Sequence, residues 1–260
     1  MDQIATPPTS IPPSSATVMR HLRTLETDGT ILFFQHVQAC QTFCDAKNIL
    51  DFGAGRGGAL VAAREAGNRY KAYLHDLRSL GAHVTACDID GAVLDNQGAD
   101  ERVVMTDDER LPFADESFDL IVSDNTFEHV EKADKIAAEL LRILRPGGFI
   151  CARTPNRFGY VAIAAALMPK TLYSAVLTRA QPHRRDEDKF EVHYRLNDPA
   201  AIKRHFAPHE VYIRYPNFEP SYFFGSRLLK GGFKLLHHFL PKRLRTGIII
   251  TVHKTARPGA

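Results

Sequence analysis

The chain predicts an α/β fold, a doubly wound parallel sheet, and three observations carry that prediction. Ile49-Leu50-Asp51-Phe52 is an apolar run holding one acid, and it breaks at once into Gly53-Ala54-Gly55-Arg56-Gly57-Gly58, with a helix-compatible Ala-Leu-Val-Ala-Ala stretch behind it. Strand-like and helix-like segments then alternate as far as Thr154, the signature of βαβ units. Phe118-Asp119-Leu120-Ile121-Val122-Ser123-Asp124 is apolar enough to lie in the centre of such a sheet, covered on both faces.

Each element follows in order. Met1 to Ser15, with four prolines, reads as a disordered tail, and residues 16–260 as one domain. From about Ala16 to Ala46 the apolar residues recur at helical spacing, broken at Thr27-Asp28-Gly29-Thr30. Two helices are expected, the second over Ile31 to Cys44 with Phe33, Phe34, Val37 and Phe43 toward the sheet. The first strand and glycine turn lead to a helix through about Ala66. Asn68 to Ser79 reads as an insertion that delays the second strand, His83 to Asp88. Val103 to Asp108 supplies a short third strand with a turn, Phe118 to Asp124 the fourth. The helix Ala133 to Leu144 is stopped by Arg145-Pro146-Gly147-Gly148, and Phe149 to Thr154 forms the fifth strand.

The totals bound the function. The chain has 260 residues, 44% hydrophobic and 24% charged, and a formal net charge of +3, too small and too dispersed to imply nucleic-acid binding. No apolar run approaches the roughly 18–20 residues that span a bilayer. Cys40, Cys44, Cys87 and Cys151 lack paired zinc-ligand spacing, so no metal site is expected, and the cytoplasm is the default address.

A glycine turn after a buried strand lets the backbone approach a ligand closely, so a nucleotide-like cofactor is expected there. An acid ending the second strand can accept hydrogen bonds from both hydroxyls of a ribose. Asp88 fits that position; Asp90, two residues on, suits a helix cap.

Four segments, "ILDFGAGRGG", "VTACDID", "TDDERLPFADESFDLIVSDNTFEHV" and "LLRILRPGGFICARTPN", stand in an order that resembles the class I S-adenosylmethionine-dependent methyltransferases, in the branch of small-molecule enzymes, from about Ile49 to Asn156. The resemblance implies a Rossmann-like sheet of seven strands with the last antiparallel, Val211 to Tyr215 and Gly247 to His253 being the sixth and seventh. It implies that Gly53, Ala54 and Gly55 pass beneath the methionine part of S-adenosylmethionine while Asp51 organises the loop and its ammonium contact. Asp88 with Ile89 would hold the ribose side, Asp107 and Asp108 the adenine, and Asp124 and Asn125 the crevice beyond the fourth strand. A nicotinamide enzyme shares the first two features but leaves the Asp107 to Phe113 segment unexplained. A DNA amine methyltransferase carries prolines after its fourth strand that Ser123-Asp124-Asn125-Thr126 lacks.

Beyond Asn156 the pattern loosens, and 157–196 reads as a lid insertion, including the polar loop Gln181 to Phe190, with 197–255 completing the sheet. A hydroxyl acceptor benefits from a base near neutral pKa, which points to His129 or His193, with Glu128 orienting or charging the site. The acceptor is expected to be a hydroxyl on a small molecule or saccharide. Transfer to nitrogen or carbon, or a non-catalytic cofactor-binding scaffold, are the alternatives. Arg153, Arg157, Arg184, Arg185 and Arg195 could meet an anionic substrate. The aromatic and basic stretch Ser221 to Arg245 could lie against an anionic membrane, though packing across the sheet suits it better.

Overall fold

The computed structural model describes residues 29–106, 110–167, 191–216, 218, 232 and 239–255. The expected tail, the helix before Thr27 and the polar loop Gln181 to Phe190 lie outside them, as does most of the stretch considered for membrane contact. Among the described residues no helix is long and apolar enough to cross a membrane.

The elements run α1 (Gly29–Phe43), β1 (Asn48–Phe52), α2 (Gly58–Glu65), α3 (Arg69–His75), β2 (His83–Asp88), β3 (Glu101–Val104), β4 (Phe118–Asp124), α4 (Ala133–Ile143), β5 (Leu144–Pro155), α5 (Tyr160–Leu167), α6 (Pro199–His205), β6 (Glu210–Arg214) and β7 (Gly247–His253). The seven strands stand in the order β3-β2-β1-β4-β5-β7-β6. β1 to β5 are mutually parallel, and β7 is antiparallel to both β5 and β6. The order reverses between β1 and β4, and in sheets of this class the ligand crevice opens there, outside the carboxyl ends of the strands.

Period-two alternation divides the strands between two cores. Ile49, Val84, Leu120, Val122 and Cys151 face α1, which offers Leu32, Phe33 and Val37. Leu50, Ile121, Ile150 and Ile250 face the other way, against Ile136 and Leu140 of α4 and Ile202 of α6. Burying such side chains fully contributes about 1.5–3 kcal/mol each.

Three expectations change. β3 lies earlier than the expected Val103 to Asp108, over Glu101–Val104, and shares only Val103 and Val104 with it. Asn68 to Ser79, read as an insertion, forms α3 and a 3₁₀ turn at Leu77–Leu80. Leu74 and Leu77 from it are buried in the α1 core, so the stretch is part of the packed domain. β5 starts earlier than Phe149. It begins at Leu144 directly after α4, pairs with Phe118, shifts register across the Pro-Gly-Gly segment and resumes at Phe149 opposite Leu120.

Asp119 ties the bottom of this sheet together. Its Oδ2 accepts from the backbone N–H of Lys47 at 3.0 Å and of Asn48 at 2.9 Å, and Oδ1 accepts from Arg145 at 2.7 Å. Burial alone would push the carboxyl up, but the two N–H groups and Arg145 together hold it below the usual carboxylate range. A depressed pKa stabilises the fold above the unfolded value near 4 and loses that contribution as pH falls through the folded value. Asp119→Ala is expected to cost about 2 kcal/mol in urea unfolding at pH 7, with the difference from wild type shrinking toward pH 3. A difference that is the same at both pH values contradicts this account.

Candidate functional site

β1 ends at Phe52, and the chain turns through Gly53 at φ 70° and Gly55 at φ 48°, both left-handed. The turn is fixed from three sides. Gly53 and Ala54 donate their N–H groups to the Cys87 carbonyl on β2, at 2.8 and 3.1 Å. The Gly55 N–H donates to Asp88 Oδ2 at 2.8 Å, while Asp88 Oδ1 accepts from the Asp90 N–H at 3.0 Å. Thr126 donates its hydroxyl to the Gly53 carbonyl at 3.2 Å, and buried Asn96 donates Nδ2 to the Gly55 carbonyl at 3.1 Å. A Cβ on Gly53 would collide with the Thr126 side chain, whereas one on Gly55 would meet nothing within 4 Å. The outer side of the loop is therefore open, and its inner side is fully used.

A cleft of ≈ 220 Å³ opens beside this turn, lined among others by Asp51, Gly53, Ala54, Gly58, His75 and Asp124. Burial and the neighbouring carboxylates Asp124 and Asp88 push the Asp51 carboxyl up to about 7. Asp124 is paired with Arg153 of β5 through two 2.6 Å hydrogen bonds. The same guanidinium donates to Thr30 of α1 at 2.6 Å and lies 5.3 Å from the centroid of the Phe33 ring and 5.7 Å from that of Phe218. Arg153 is thus a clamp between β4, β5 and α1. His75, at the end of α3, packs on Phe34 with ring centroids 4.3 Å apart.

The turn after β4 carries a second group. Glu128 is buried, and burial raises its carboxyl against the opposing hydrogen bonds and the nearby His129. Its Oε2 accepts from the Thr154 hydroxyl at 2.8 Å, and Thr154 Oγ1 accepts from Asn197 Nδ2 at 2.6 Å. The Glu128 carbonyl accepts from the N–H groups of His193 at 2.8 Å and Tyr194 at 3.3 Å. His129 donates Nδ1–H to the Glu191 carbonyl at 2.7 Å, which leaves Nε2 as the basic nitrogen, 4.0 Å from Glu128 Oε1. The segment 191–197 is in this way stitched onto Glu128 and His129.

The predicted residues therefore fall into two groups. Asp51, Gly53, Ala54 and Asp124 line one cleft, and Gly55 and Asp88 brace its turn. Ile89 beside them is 56% exposed, an uncovered apolar side chain next to the acid that ends β2. Asn125, in the left-handed region that asparagine tolerates, donates its N–H to the Arg153 carbonyl at 2.8 Å and its side-chain amide to Asp124. Glu128, His129 and His193 gather at the second group. Asp107 and Asp108 lie outside the described residues, as do Arg184 and Arg185. Asp90 caps the 3₁₀ turn Gly91–Asp95 through the Ala92 N–H.

Asn96, His75, Thr154 and Asn197 are not identified as site residues from the sequence: no motif surrounds the first, second and last, and Thr154 reads only as the end of the fifth strand. A separate buried cluster also escaped linear spacing: His36 and Cys40 on α1 meet Cys151 on β5, their ligand atoms all within 4.8 Å of one another. The His36 imidazole hydrogen-bonds the Thr251 hydroxyl, and its Nε2 lies 3.7 Å from Cys40 Sγ. A larger cavity of ≈ 920 Å³ runs along the edge strand β6 and holds none of the predicted site residues.

A family model described as a methyltransferase domain matches residues 50–152. A malonyl-(acyl-carrier protein) O-methyltransferase of Methylococcus capsulatus is 36% identical over 125 residues, 46% of this chain and 40% of the relative. An uncharacterized methyltransferase of Mycobacterium avium is 36% identical over 104 residues, 39% of this chain and 37% of the relative. The match thus spans about two fifths of the length of these curated relatives. Among solved structures, the plantazolicin methyltransferase BpumL, in complex with a monoazolic desmethylPZN analogue and S-adenosylhomocysteine, covers 94% of this chain and 91% of its own at 12% identity, with a TM-score of 0.50. That similarity is one of fold.

Proposed function

We propose that the chain, whose residues 50–152 match a methyltransferase-domain model, is a class I S-adenosylmethionine-dependent methyltransferase and transfers a methyl group to a hydroxyl of a small molecule or saccharide. The observation that carries the reading is the braced turn Gly53–Gly55 at the reversal point of the sheet, its outer side open and its flanks lined by Asp51 and Asp88. The residues fit such a cofactor. Gly55 leaves room where a side chain would stand, the carboxyl groups of Asp51 and Asp124 line a place for the ammonium of the amino-acid end, and Asp88 spends one lone pair on each oxygen within the protein and keeps others for a ribose diol.

S-adenosylmethionine, when bound, supplies an electrophilic sulfonium methyl. The protein's own part in an in-line displacement is to align the acceptor and to exclude water. His129 is the base we favour: its proton sits on Nδ1, held by the Glu191 carbonyl, so Nε2 takes the hydroxyl proton. Glu128, 4.0 Å away, then faces an imidazolium and stabilises it. His193 is the second base in this reading, set against Glu128 by its backbone. The hydroxyl preference rests on these histidines: a hydroxyl is a poor nucleophile until it loses its proton, whereas a neutral amine already carries a free lone pair.

Two measurements test the reading. Calorimetry with S-adenosylhomocysteine is expected to give saturable binding, and its absence removes the enzyme reading and leaves a scaffold. A screen of cell-extract metabolites with labelled S-adenosylmethionine is expected to yield an O-methylated product. With that acceptor in hand, alanine at His129 or His193 is expected to lower turnover by roughly 10²–10⁴-fold while cofactor affinity stays within a few-fold; turnover unchanged in both variants excludes the histidine base.

A further inference from the structure

We infer that His75 completes the amino-acid end of the cofactor cleft as a neutral hydrogen-bond acceptor for an ammonium group. The inference rests on the reading of the cleft as an S-adenosylmethionine site and goes beyond it by naming a contact outside the glycine turn and strand ends.

The tautomer follows from the partners. Nδ1 lies 3.0 Å from the Ala59 carbonyl, which can only accept, so the ring proton sits on Nδ1 and Nε2 presents its lone pair. Nε2 is buried and has no hydrogen-bond partner among the described residues. Buried acceptors in folded proteins are nearly always paired, and an unpaired one on a residue that lines a cleft marks where a donor belongs. Burial lowers the pKa of the imidazole, the effect the Ala59 carbonyl opposes, so near neutral pH the nitrogen remains an acceptor. The Phe34 ring, inclined at 38° and 4.3 Å away, limits rotation of the imidazole.

The rest of the cleft selects the kind of donor. Asp51 and Asp124 line it together with His75, and a lone pair beside carboxylates attracts a cation and disfavours an anion. An alkylammonium offers three N–H donors, enough to meet His75 and a carboxylate at once. The α3 helix that carries His75 packs against the domain through Leu74, so the imidazole is presented by a rigid element.

The test uses the full chain and two ligands that differ at this end. S-adenosylhomocysteine carries the amino acid; 5′-methylthioadenosine keeps the adenine, ribose and sulfur without it. By calorimetry, His75→Phe, which retains a ring against Phe34, is expected to weaken S-adenosylhomocysteine by roughly 10- to 100-fold and to leave methylthioadenosine unchanged. His75→Gln, which restores an acceptor oxygen, is expected to recover part of the loss, and His75→Leu serves where the larger ring lowers the thermal midpoint. Equal affinity of wild type and folded His75 variants for S-adenosylhomocysteine overturns the inference, as does an equal loss for both ligands. A wild-type chain that binds neither ligand overturns the cofactor reading itself, and this contact with it.

Discussion

Replacing Gly53 with alanine is expected to abolish S-adenosylhomocysteine binding and to lower the thermal midpoint by roughly 5–10 °C. Two costs add at this position. The backbone is left-handed at φ 70°, where an L side chain costs about 1 kcal/mol. The new methyl also falls on the Thr126 side chain, whose hydroxyl holds the Gly53 carbonyl, so relief by rotating Thr126 breaks the brace that sets the turn. Overpacking of this kind costs about 1–3 kcal/mol. Gly55 separates stability from binding. Its φ of 48° carries the backbone cost, but its Cβ meets nothing within 4 Å. Gly55→Ala is therefore expected to lower the midpoint by only a few degrees, about 1 kcal/mol, and still to weaken the ligand by more than roughly tenfold, because the methyl stands on the open side of the loop. A Gly53→Ala protein that binds S-adenosylhomocysteine as wild type does would show that the turn is not the cofactor's cradle.

The contrast between those glycines also shows what the sequence could deliver. The apolar run into Asp51 and the glycines behind it were legible because strand, turn and helix follow one another locally, and each has its own residue chemistry. The same local logic placed Asp88 and Asp124 at strand ends and the stop of α4 before the Pro-Gly pair. It failed where the partner is distant in the chain. Asp124 was legible as a crevice residue, but its pairing with Arg153 depends on β4 and β5 being neighbours in register. Thr30 joins them only because α1 crosses that end of the sheet. His75 gives no such signal: its seven-residue helix is too short to show a period, and its apolar positions are interrupted by Tyr and Lys. Cys40 and Cys151 share no linear spacing at all, and only the packing of α1 on β5 brings them together. The glycine turn is sequence-local chemistry, while the walls of the cleft are products of topology.

Asp51→Asn is expected to stabilise the protein at pH 8 while weakening S-adenosylhomocysteine, so that stability and binding move in opposite directions. The carboxyl has its folded pKa raised to about 7, by burial first and by Asp124 and Asp88 next. The folded state then holds a proton that the unfolded chain has released, so stability falls as pH rises from about 4 to about 7 and is level above that. The cost at pH 8 is at most about 4 kcal/mol, and less in practice because part of Asp51 still meets solvent. Asparagine resembles the protonated acid and removes that cost. A cationic ammonium in the cleft favours the ionised form, so ligand binding expels the proton. Wild-type affinity is accordingly expected to rise by up to about tenfold per pH unit between pH 5.5 and 7 and to flatten above it. Calorimetry at pH 6 in buffers of different ionisation enthalpy should register the released proton. In Asp51→Asn the pH slope should vanish, the affinity at pH 8 should fall by roughly 10- to 100-fold, and urea unfolding at pH 8 should show a gain of about 1–3 kcal/mol. If the variant is less stable than wild type at pH 8, Asp51 is a satisfied structural carboxylate and not a strained group waiting for a cation. If it keeps the wild-type pH slope, the titrating group lies elsewhere in the cleft.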